Sequence, residues 1–482
     1  MFVMIQYTKC IIFSVYYKRH LLVNKKWLSH LKMNFAINYF KRLCIIISFL
    51  IIGCNYDNEE NDVETKLEID SGISKFADQD PSNDVFMQGF WWDSYKDLKL
   101  RNYASYFEFI GDQIITLSNA NIDLIWFPPP SEGEGMGYHP RKLFDFNSSH
   151  GSSNELKKLL EKIQSRKMHA MADLVFNHRV GTSTWTDFTD PYWSCESICI
   201  NDEGFTDPNA FGVKPCGDID EGLGWDGARD LNHQSQEVQK GLKEYLVQLK
   251  DLGFDSWRYD FTKGFPAKYV GEYNYSNSYY YSVGEYWDID LPKILNWINA
   301  TSKSLEGQVN TPSSSFDFPL KYNLKEAIVN KNYDKLNSAS SIIENQNFKK
   351  FAVTFLDNHD TGCINRSDCD NLFSKNNSEI IKGYAYLLTH PGIPMIWIYH
   401  YLFNDPSGKL KKDINDLILI RKEKKIKSNS EVQIIEIKNG NSGYYIAEID
   451  EKLLIKIGDG PYQANSNWRM IKSGEGFVIW EK

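Results

Sequence analysis

The chain has 482 residues, a length that corresponds to about three average domains or to one large barrel with attachments. Its 63 Asp and Glu residues outnumber its 54 Lys and Arg residues, and the resulting formal charge of −9 argues against a nucleic-acid-binding protein, whose binding face is basic. Hydrophobic residues make up 42% of the sequence and charged residues 24%, which excludes wholesale disorder and indicates a packed globular protein.

Residues 1–53 are typical of an export signal rather than of a folded domain. After Met33 come two basic residues, an apolar stretch over residues 43–52, and a glycine followed by Cys54. This order is that of a secretory signal peptide. The apolar stretch is too short to span a bilayer, which takes about 20 residues. Whether translation begins at Met1 or at Met33 is open.

The residues around the predicted cleavage site resemble a bacterial lipobox, in which the cysteine is lipidated and becomes the mature N-terminus. A plain signal peptide followed by an incidental cysteine is the alternative. The polar, acidic residues 54–80 cannot bury a core and are predicted to form a flexible tether. The sequence therefore predicts an exported lipoprotein at the outer membrane or cell surface, which contacts the membrane only through the lipid on Cys54.

Five cysteines follow Cys54, which agrees with export because disulfides persist outside the reducing cytoplasm. A pair between Cys363 and Cys369 is plausible. One further pair among three cysteines is also plausible and leaves the third free. The spacing of the first two of these could suggest zinc, but no histidine stands nearby, so a zinc site is disfavoured. The three cysteines are Cys195, Cys199 and Cys216.

From residue 81 to residue 428, short apolar strands alternate with amphipathic helices. One helix begins after the capping box Ser152–Glu155 and carries its large apolar residues on one stripe. This alternation predicts a parallel sheet with both faces covered, and a segment of this length is best closed as a (β/α)₈ TIM barrel. The predicted strands include residues 85–90, 122–127, 170–176 and 253–260.

Two segments depart from this alternation. Residues 179–229 are irregular and too long for an ordinary connection, so they are predicted to form a small subdomain inserted after the third strand. Residues 429–482 alternate apolar and polar side chains between glycine-containing turns, which predicts a C-terminal antiparallel β-sheet domain. The fold class is therefore α/β. A Tyr-rich stretch over residues 273–281 is predicted to be a loop, with an outside chance of contact with a ligand.

Three acidic residues, Asp260, Glu285 and Asp360, each follow a predicted strand. They should face one mouth of the barrel, where the active sites of such barrels lie. Arg258 stands two residues before Asp260 and shares its face of the strand, so it would keep Asp260 ionised as a nucleophile. Glu285 precedes two aromatic residues, and partial desolvation there would raise its pKa, as a general acid requires.

This set of residues suits the hydrolysis of a glycosidic bond. The reaction needs a proton donor for the leaving oxygen and a carboxylate facing an oxocarbenium-like transition state. His178 and His359 also stand at strand ends, where they and Asp360 could hold sugar hydroxyls. Any one of these residues by itself could form a structural ion pair or a rim hydrogen bond. Four strand ends with complementary roles favour a catalytic site.

The segments that carry these residues resemble the conserved regions of glycoside hydrolase family 13, the α-amylase family. The resemblance covers residues 84–482 and is strongest to the plant-type members. It implies an endo-acting enzyme that hydrolyses internal α-1,4-glucosidic bonds of starch-like glucans by a retaining double displacement. Outside the conserved regions it rests on residues 88–94, 126–131, 137–145, 390–394, 445–450 and 480–482.

The resemblance also implies a role for each site residue. Asp260 matches the nucleophile, Glu285 the acid/base and Asp360 the transition-state stabiliser. The retaining mechanism of the family implies that the carboxyls of Asp260 and Glu285 lie about 5–5.5 Å apart. The residues that match substrate contacts are Tyr138, His178, Arg258, Lys263, Trp287 and His359.

A structural Ca²⁺ between barrel and inserted subdomain is a further implication of the resemblance. Asn177 matches its amide ligand, Asp230 its carboxylate ligand and Gly264 its backbone-carbonyl ligand. Oxygen ligands of these kinds suit calcium. Without the resemblance, Asn177 and Asp230 would be interpreted as loop caps.

Two departures from the plant-type pattern leave local contacts in doubt. The chain has Tyr399-His400 where those proteins commonly have Asp-His, and His139 replaces a residue of different character beside Tyr138. The predicted partner is an α-glucan such as starch, glycogen or a maltooligosaccharide, bound by a monomer. An α-glucan transglycosylase and a noncatalytic surface glucan-binding protein are the alternatives. The second is disfavoured because all three carboxylates are present.

Overall fold

The computed structural model describes residues 80–202, 213–362, 364, 373 and 376–482. The predicted signal, the tether and Cys54 lie outside the described residues, and so do Cys363 and Cys369. Across the described ranges, no helix is both long enough and apolar enough to cross a membrane.

Among the described residues, twelve strands precede the C-terminal sheet, and eight of them close into a parallel barrel in the order β1-β12-β11-β10-β9-β8-β5-β2. The predicted barrel is thereby confirmed. The twelve strands are β1 (Phe86–Gln88), β2 (Leu124–Phe127), β3 (Glu132–Glu134), β4 (His139–Lys142), β5 (His169–Leu174), β6 (His178–Arg179), β7 (Arg229–Asp230), β8 (Ser256–Tyr259), β9 (Tyr281–Gly284), β10 (Ser314–Phe316), β11 (Ala352–Thr354) and β12 (Ile393–Trp397).

Helices follow most of the barrel strands. Their apolar stripes are buried, as in Ser153–Ser165, where Leu156, Leu159 and Leu160 face the core. That helix opens with the predicted capping box, in which Ser152 and Glu155 satisfy each other's backbone N–H groups. The helices are α1 (Tyr106–Asn119), α2 (Ser153–Ser165), α3 (Gln236–Leu252), α4 (Ala267–Ser276), α5 (Leu291–Ala300), α6 (Phe318–Ile328), α7 (Asn377–Thr389), α8 (Ile398–Leu402) and α9 (Lys409–Lys424).

An insertion follows the third barrel strand, β5, as predicted. Strands β6 and β7 pair antiparallel at its base, so that His178 lies opposite Asp230. Cys195 and Cys216 form a disulfide within the insertion, and Cys199 is buried as a free thiol. One pair among these three cysteines with the third left free is one of the arrangements that the sequence allowed.

The chain ends in the predicted antiparallel sheet, with strand order β13-β14-β15-β17-β16. Alternation along these strands places one set of side chains in the main core and a second set, around Trp480, in a small cluster on the opposite face. The strands are β13 (Val432–Lys438), β14 (Tyr444–Ile449), β15 (Leu453–Gly458), β16 (Arg469–Gly474) and β17 (Phe477–Glu481).

The Tyr-rich stretch contains the predicted loop, at residues 277–280, but is not a loop throughout. Its first residues end α4, its last residue begins β9, and Tyr273, Tyr279 and Tyr281 are buried. Their rings fill core space while the hydroxyls find polar partners, as where the Tyr281 hydroxyl donates to Ser314 Oγ at 2.7 Å. Buried tyrosines of this kind are not placed to contact a ligand, so the outside chance of such a contact is withdrawn.

Candidate active site

Asp260 and Glu285 follow neighbouring barrel strands. Tyr259, the last residue of β8, pairs with Gly284, the last residue of β9, so the two carboxylates emerge side by side at the same edge. The hydrogen-bond ladder between the two strands continues by one bond, because Glu285 N donates to Tyr259 O at 2.9 Å. This edge of the barrel is the one at which active sites form.

A single guanidinium lies beneath both carboxylates. Arg258 Nη1 is 2.6 Å from Asp260 Oδ1, and Arg258 Nη2 is 2.7 Å from Glu285 Oε1. Nη1 also contacts Asp173 Oδ1 at 2.8 Å. Arg258 is completely buried and its guanidinium lies 4.8 Å from the centre of the Trp126 ring. One buried cation therefore holds three carboxyl groups together.

Two of these carboxyl groups bind a proton more tightly than an exposed carboxyl does. Burial raises the pKa of Glu285, with Arg258 opposing and the charges of Asp260 and Asp360 reinforcing the rise. Burial likewise raises the pKa of Asp173, with Arg258 opposing and Asp260 reinforcing. Glu285, which keeps its proton near neutral pH, can serve as a general acid. The geometry thus supplies a proton donor beside an arginine-paired carboxylate.

The third predicted carboxylate is connected to this group through two rings. Asp360 Oδ2 lies 3.2 Å from His359 Nε2, which in turn lies 2.8 Å from the Tyr138 hydroxyl. That hydroxyl donates to Asp173 Oδ2 at 2.8 Å. Asp360 keeps its place because its N–H donates to Asn358 Oδ1 at 3.0 Å. The three acidic residues therefore converge instead of scattering through the molecule.

Flat rings line the site beside these carboxylates. Tyr138 and His359 are nearly parallel, with ring centres 5.3 Å apart and an angle of 4°. Trp92 continues the series at 6.0 Å from Tyr138 with an angle of 7°. Aromatic faces of this kind suit the apolar faces of sugar rings. Sequence reasoning placed Trp92 only within a resembling segment and did not assign it to the site.

His178 lies at the site but is engaged by the protein. Its Nε2 is 2.8 Å from the Tyr138 carbonyl, so this nitrogen carries the proton, and Asn177 Nδ2 lies 3.3 Å from its Nδ1. Burial lowers the pKa of His178 to about 4, which keeps the ring neutral at ordinary pH. Trp225 covers it with ring centres 4.3 Å apart. Trp225 was missed from sequence, and its one signal was an aromatic residue inside a polar insertion.

Lys263 and Trp287 lie on the loops that follow β8 and β9. Lys263 Nζ forms an ion pair with Asp288 at 2.8 Å. Trp287 stacks on Phe318 at 4.8 Å and its Nε1 lies 3.4 Å from the Tyr322 hydroxyl. Both residues are thus held by neighbours on the side of the site that carries Glu285.

The three residues matched to calcium ligands meet between the barrel and the insertion. Asn177 Nδ2 donates to Asp230 Oδ1 at 3.1 Å. Gly264 is so close to Asn177 that a Cβ on Gly264 would lie 1.7 Å from Asn177 Oδ1. That amide oxygen is buried and accepts no hydrogen bond. A buried oxygen beside a carboxylate and a backbone segment fits a hard cation such as calcium.

Within the part of the chain that the structure describes, no group of three or more His, Cys, Asp or Glu side chains is arranged to hold a metal ion. The cluster around Asn177 differs in kind, because amide and carbonyl oxygens would supply much of its coordination.

The two departures from the plant-type pattern have structural accounts. His400 is buried, with its Nδ1 3.0 Å from the Tyr384 hydroxyl, and Tyr399 packs on Trp91 at 5.8 Å. This pair therefore stabilises the core. His139 is partly exposed, with Nδ1 3.7 Å from Glu134, and its ring lies 5.6 Å from Trp225.

Comparisons with known proteins agree with this geometry. Residues 423–481 match the α-amylase C-terminal β-sheet domain. "Probable alpha-amylase 2" from Arabidopsis thaliana is 32% identical over 419 residues, which cover 83% of this chain and 94% of the relative.

Solved structures share the fold at lower identity. The α-amylase from Geobacillus thermoleovorans, solved in complex with acarbose, is 16% identical with a TM-score of 0.61 and covers 84% of this chain and 99% of its own. A gamma-CGTase from alkalophilic Bacillus clarkii is 18% identical with a TM-score of 0.62 and covers 84% and 71%. The plant relative, at its identity and coverage, decides the family. The chain belongs to the α-amylase family, glycoside hydrolase family 13, is similar to its plant members, and is a glycoside hydrolase.

Proposed function

We propose that the chain is an endo-acting α-amylase that hydrolyses internal α-1,4-glucosidic bonds of starch-like glucans with retention of configuration. The observation that carries this proposal is the pair of carboxyl groups, Asp260 and Glu285, held at one barrel edge by Arg258. A proton-donating carboxyl beside a second carboxyl that can act as nucleophile is what a retaining glycosidase requires.

In the first step, Asp260 attacks the anomeric carbon while Glu285 donates its proton to the leaving glycosidic oxygen. The glycosidic bond breaks, and a covalent bond forms between the sugar and Asp260. In the second step, Glu285 takes a proton from water, whose oxygen attacks the same carbon and releases Asp260. The contact with Arg258 holds the Asp260 carboxyl group in place for the attack.

The surrounding residues have supporting roles in this proposal. Asp360 faces the positive charge that develops on the sugar, and His359 holds a hydroxyl of that sugar. Tyr138 stacks on its ring and is itself held by His178 through its carbonyl. Lys263 and Trp287 contact the leaving-group side. The carboxyls of Asp260 and Glu285 are expected about 5–5.5 Å apart.

We propose that Ca²⁺ binds to Asn177 Oδ1, the Asp230 carboxylate and the Gly264 carbonyl. When bound, the cation supplies positive charge that ties the insertion to the loop after β8. The orphaned Asn177 oxygen supports this placement. No step of the reaction needs the cation, because Asp260 and Glu285 perform the proton and sugar transfers themselves.

Product analysis tests the proposed activity. Incubation of the purified chain with soluble starch is expected to release oligosaccharides of mixed length and to remove iodine staining early, because internal bonds are cut first. Short maltooligosaccharides incubated alone distinguish hydrolysis from transfer. Products longer than the starting sugar as the main outcome would favour a transglycosylase, and glucan binding without any product would favour a noncatalytic binding protein.

We also propose the domain boundaries, monomeric state and location that the sequence predicts. The barrel spans residues 81–428 with its insertion at 179–229, and the terminal sheet spans 429–482. The protein is exported and anchored through lipid on Cys54, with an α-glucan as its partner.

Lipid labelling tests the anchor. Cells that express the chain with labelled palmitate are expected to incorporate label into it, because lipoprotein processing acylates the cysteine after signal cleavage. Cys54→Ser should abolish the label, and Cys44→Ser serves as the matched control. An unlabelled product whose N-terminus precedes Cys54 would contradict the anchor.

A further inference from the structure

Gln88 lies beneath the site and plays no part in the chemistry described so far. It is the last residue of β1 and is completely buried. Its Nε2 lies 2.7 Å from His359 Nδ1, although the two residues are 271 positions apart in sequence. The neutral amide of Gln88 therefore contacts Nδ1 of the His359 ring, while Nε2 of the same ring faces Tyr138 and Asp360.

The neighbours of His359 Nε2 decide which nitrogen carries the proton. The Tyr138 hydroxyl gives its single proton to Asp173 Oδ2, so its oxygen accepts from Nε2. Asp360 Oδ2, at 3.2 Å, also presents lone pairs to the same nitrogen. A bare Nε2 would set lone pair against lone pair on both sides, so Nε2 carries a hydrogen.

The amide of Gln88 then sets the charge of the ring. With its NH₂ end toward Nδ1, as the structure has it, Gln88 donates and Nδ1 carries no proton. The ring is then neutral. The carbonyl end in that place would accept from a protonated Nδ1 and make the ring an imidazolium. Gln88 Oε1 is buried and accepts no hydrogen bond, so the amide satisfies His359 at the expense of its own oxygen.

We propose that Gln88 is a positioning residue that holds His359 neutral with its proton on Nε2. This inference rests on the proposed function. A neutral ring leaves the full negative charge of Asp360 facing the oxocarbenium-like transition state, whereas an imidazolium would form an ion pair with Asp360 and repel the developing positive charge.

The other groups around the ring do not replace Gln88 in this task. Phe90 and Trp126 pack against it at 5.0 and 5.5 Å and are uncharged. Titratable groups on its cleft side include Tyr138 and Asp360. Asp173 and Arg258 lie one contact further along, and Asp260 and Glu285 contact the Arg258 guanidinium. The negatively charged groups among these favour the imidazolium form of His359. The N–H that Gln88 donates to Nδ1 favours the neutral form instead.

Gln88→Glu is the sharpest test, because the side chain keeps its shape and, once ionised, can only accept a hydrogen bond. It should raise the pKa of His359 and move the acidic limb of the kcat profile toward higher pH. One pH unit below the shifted pKa, kcat on a maltooligosaccharide should be about tenfold below wild type, because about a tenth of the rings are neutral there. KM should change little. Gln88→Met, which removes the donor without adding a charge, should lower kcat without this shift.

A direct measurement keeps the inference falsifiable whatever the variants do. In wild-type protein with ¹⁵N-labelled histidine, and with His359→Gln for assignment, His359 should show a bare Nδ1 and a protonated Nε2 between about pH 5 and 8. An imidazolium or a protonated Nδ1 in that range would overturn the inference. So would a Gln88→Met variant whose kcat matches wild type across the pH range. If wild type cleaves no glucan, the proposed function fails, while the spectrum still decides the role of Gln88.

Discussion

Asp260→Asn is expected to lower kcat on soluble starch by about six orders of magnitude, comparable to the loss of a nucleophile in other hydrolases. The amide cannot form the covalent intermediate, and it no longer balances the buried charge of Arg258. Glucan binding should survive, because the rings of Trp92, Tyr138 and His359 are unchanged. The measurement is reducing-end release, with binding followed separately.

Glu285→Gln should separate the two carboxyl roles. It removes the proton donor, so starch cleavage should fall steeply, whereas an aryl maltoside whose leaving group needs no proton should lose far less in the first step. In wild type, kcat/KM should fall on the alkaline side as Glu285 loses its proton. The pH at which kcat/KM falls should be higher than the pKa of an ordinary glutamate, because burial raises the pKa of Glu285.

Asp251→Asn, on the exposed face of α3, is the matched control and should leave all of these rates unchanged. Equal activity of Asp260→Asn and wild type would remove Asp260 from its proposed role. Equal losses of Glu285→Gln on starch and on the aryl maltoside in the first step would remove Glu285 from proton donation.

Removal of calcium is the second expected large effect. A chelator should lower the free energy of unfolding by about 4 kcal/mol relative to protein in calcium at a thousand times its Kd, because a ligand that binds only the folded state stabilises it by mass action. The loss should begin in the insertion, since the cation would tie residues 179–229 to the loop that carries Gly264. Thermal unfolding with and without chelator measures the loss, and limited proteolysis locates it.

Asn177→Ala should make stability nearly insensitive to calcium, because it removes the buried amide oxygen that lacks a hydrogen-bond donor. Asn154→Ala, at an exposed position in the first turn of α2, is the control and should respond to chelator as wild type does. Chelator-insensitive unfolding of wild type, or a full response in Asn177→Ala, would contradict the proposed ligand set.

Much of the fold was predictable from sequence, because strands and helices leave periodic patterns in short segments of the chain. Strand and helix periods differ, so their alternation predicts a parallel barrel, and the break over residues 179–229 predicts an insertion. The position of Asp260, Glu285 and Asp360 directly after apolar segments brings them to one barrel edge. Arg258 is placed by the two-residue repeat of a strand.

Contacts between distant segments were decided only by the closed barrel. The pair formed by Gln88 and His359, the cover of Trp225 over His178, and the choice of Cys216 as partner of Cys195 depend on how strands and loops meet. Tyr273, Tyr279 and Tyr281 are core residues for the same reason. A local sequence pattern predicts which face of a strand or helix a side chain occupies. The closure of the barrel and the packing around it determine which distant residues that side chain contacts.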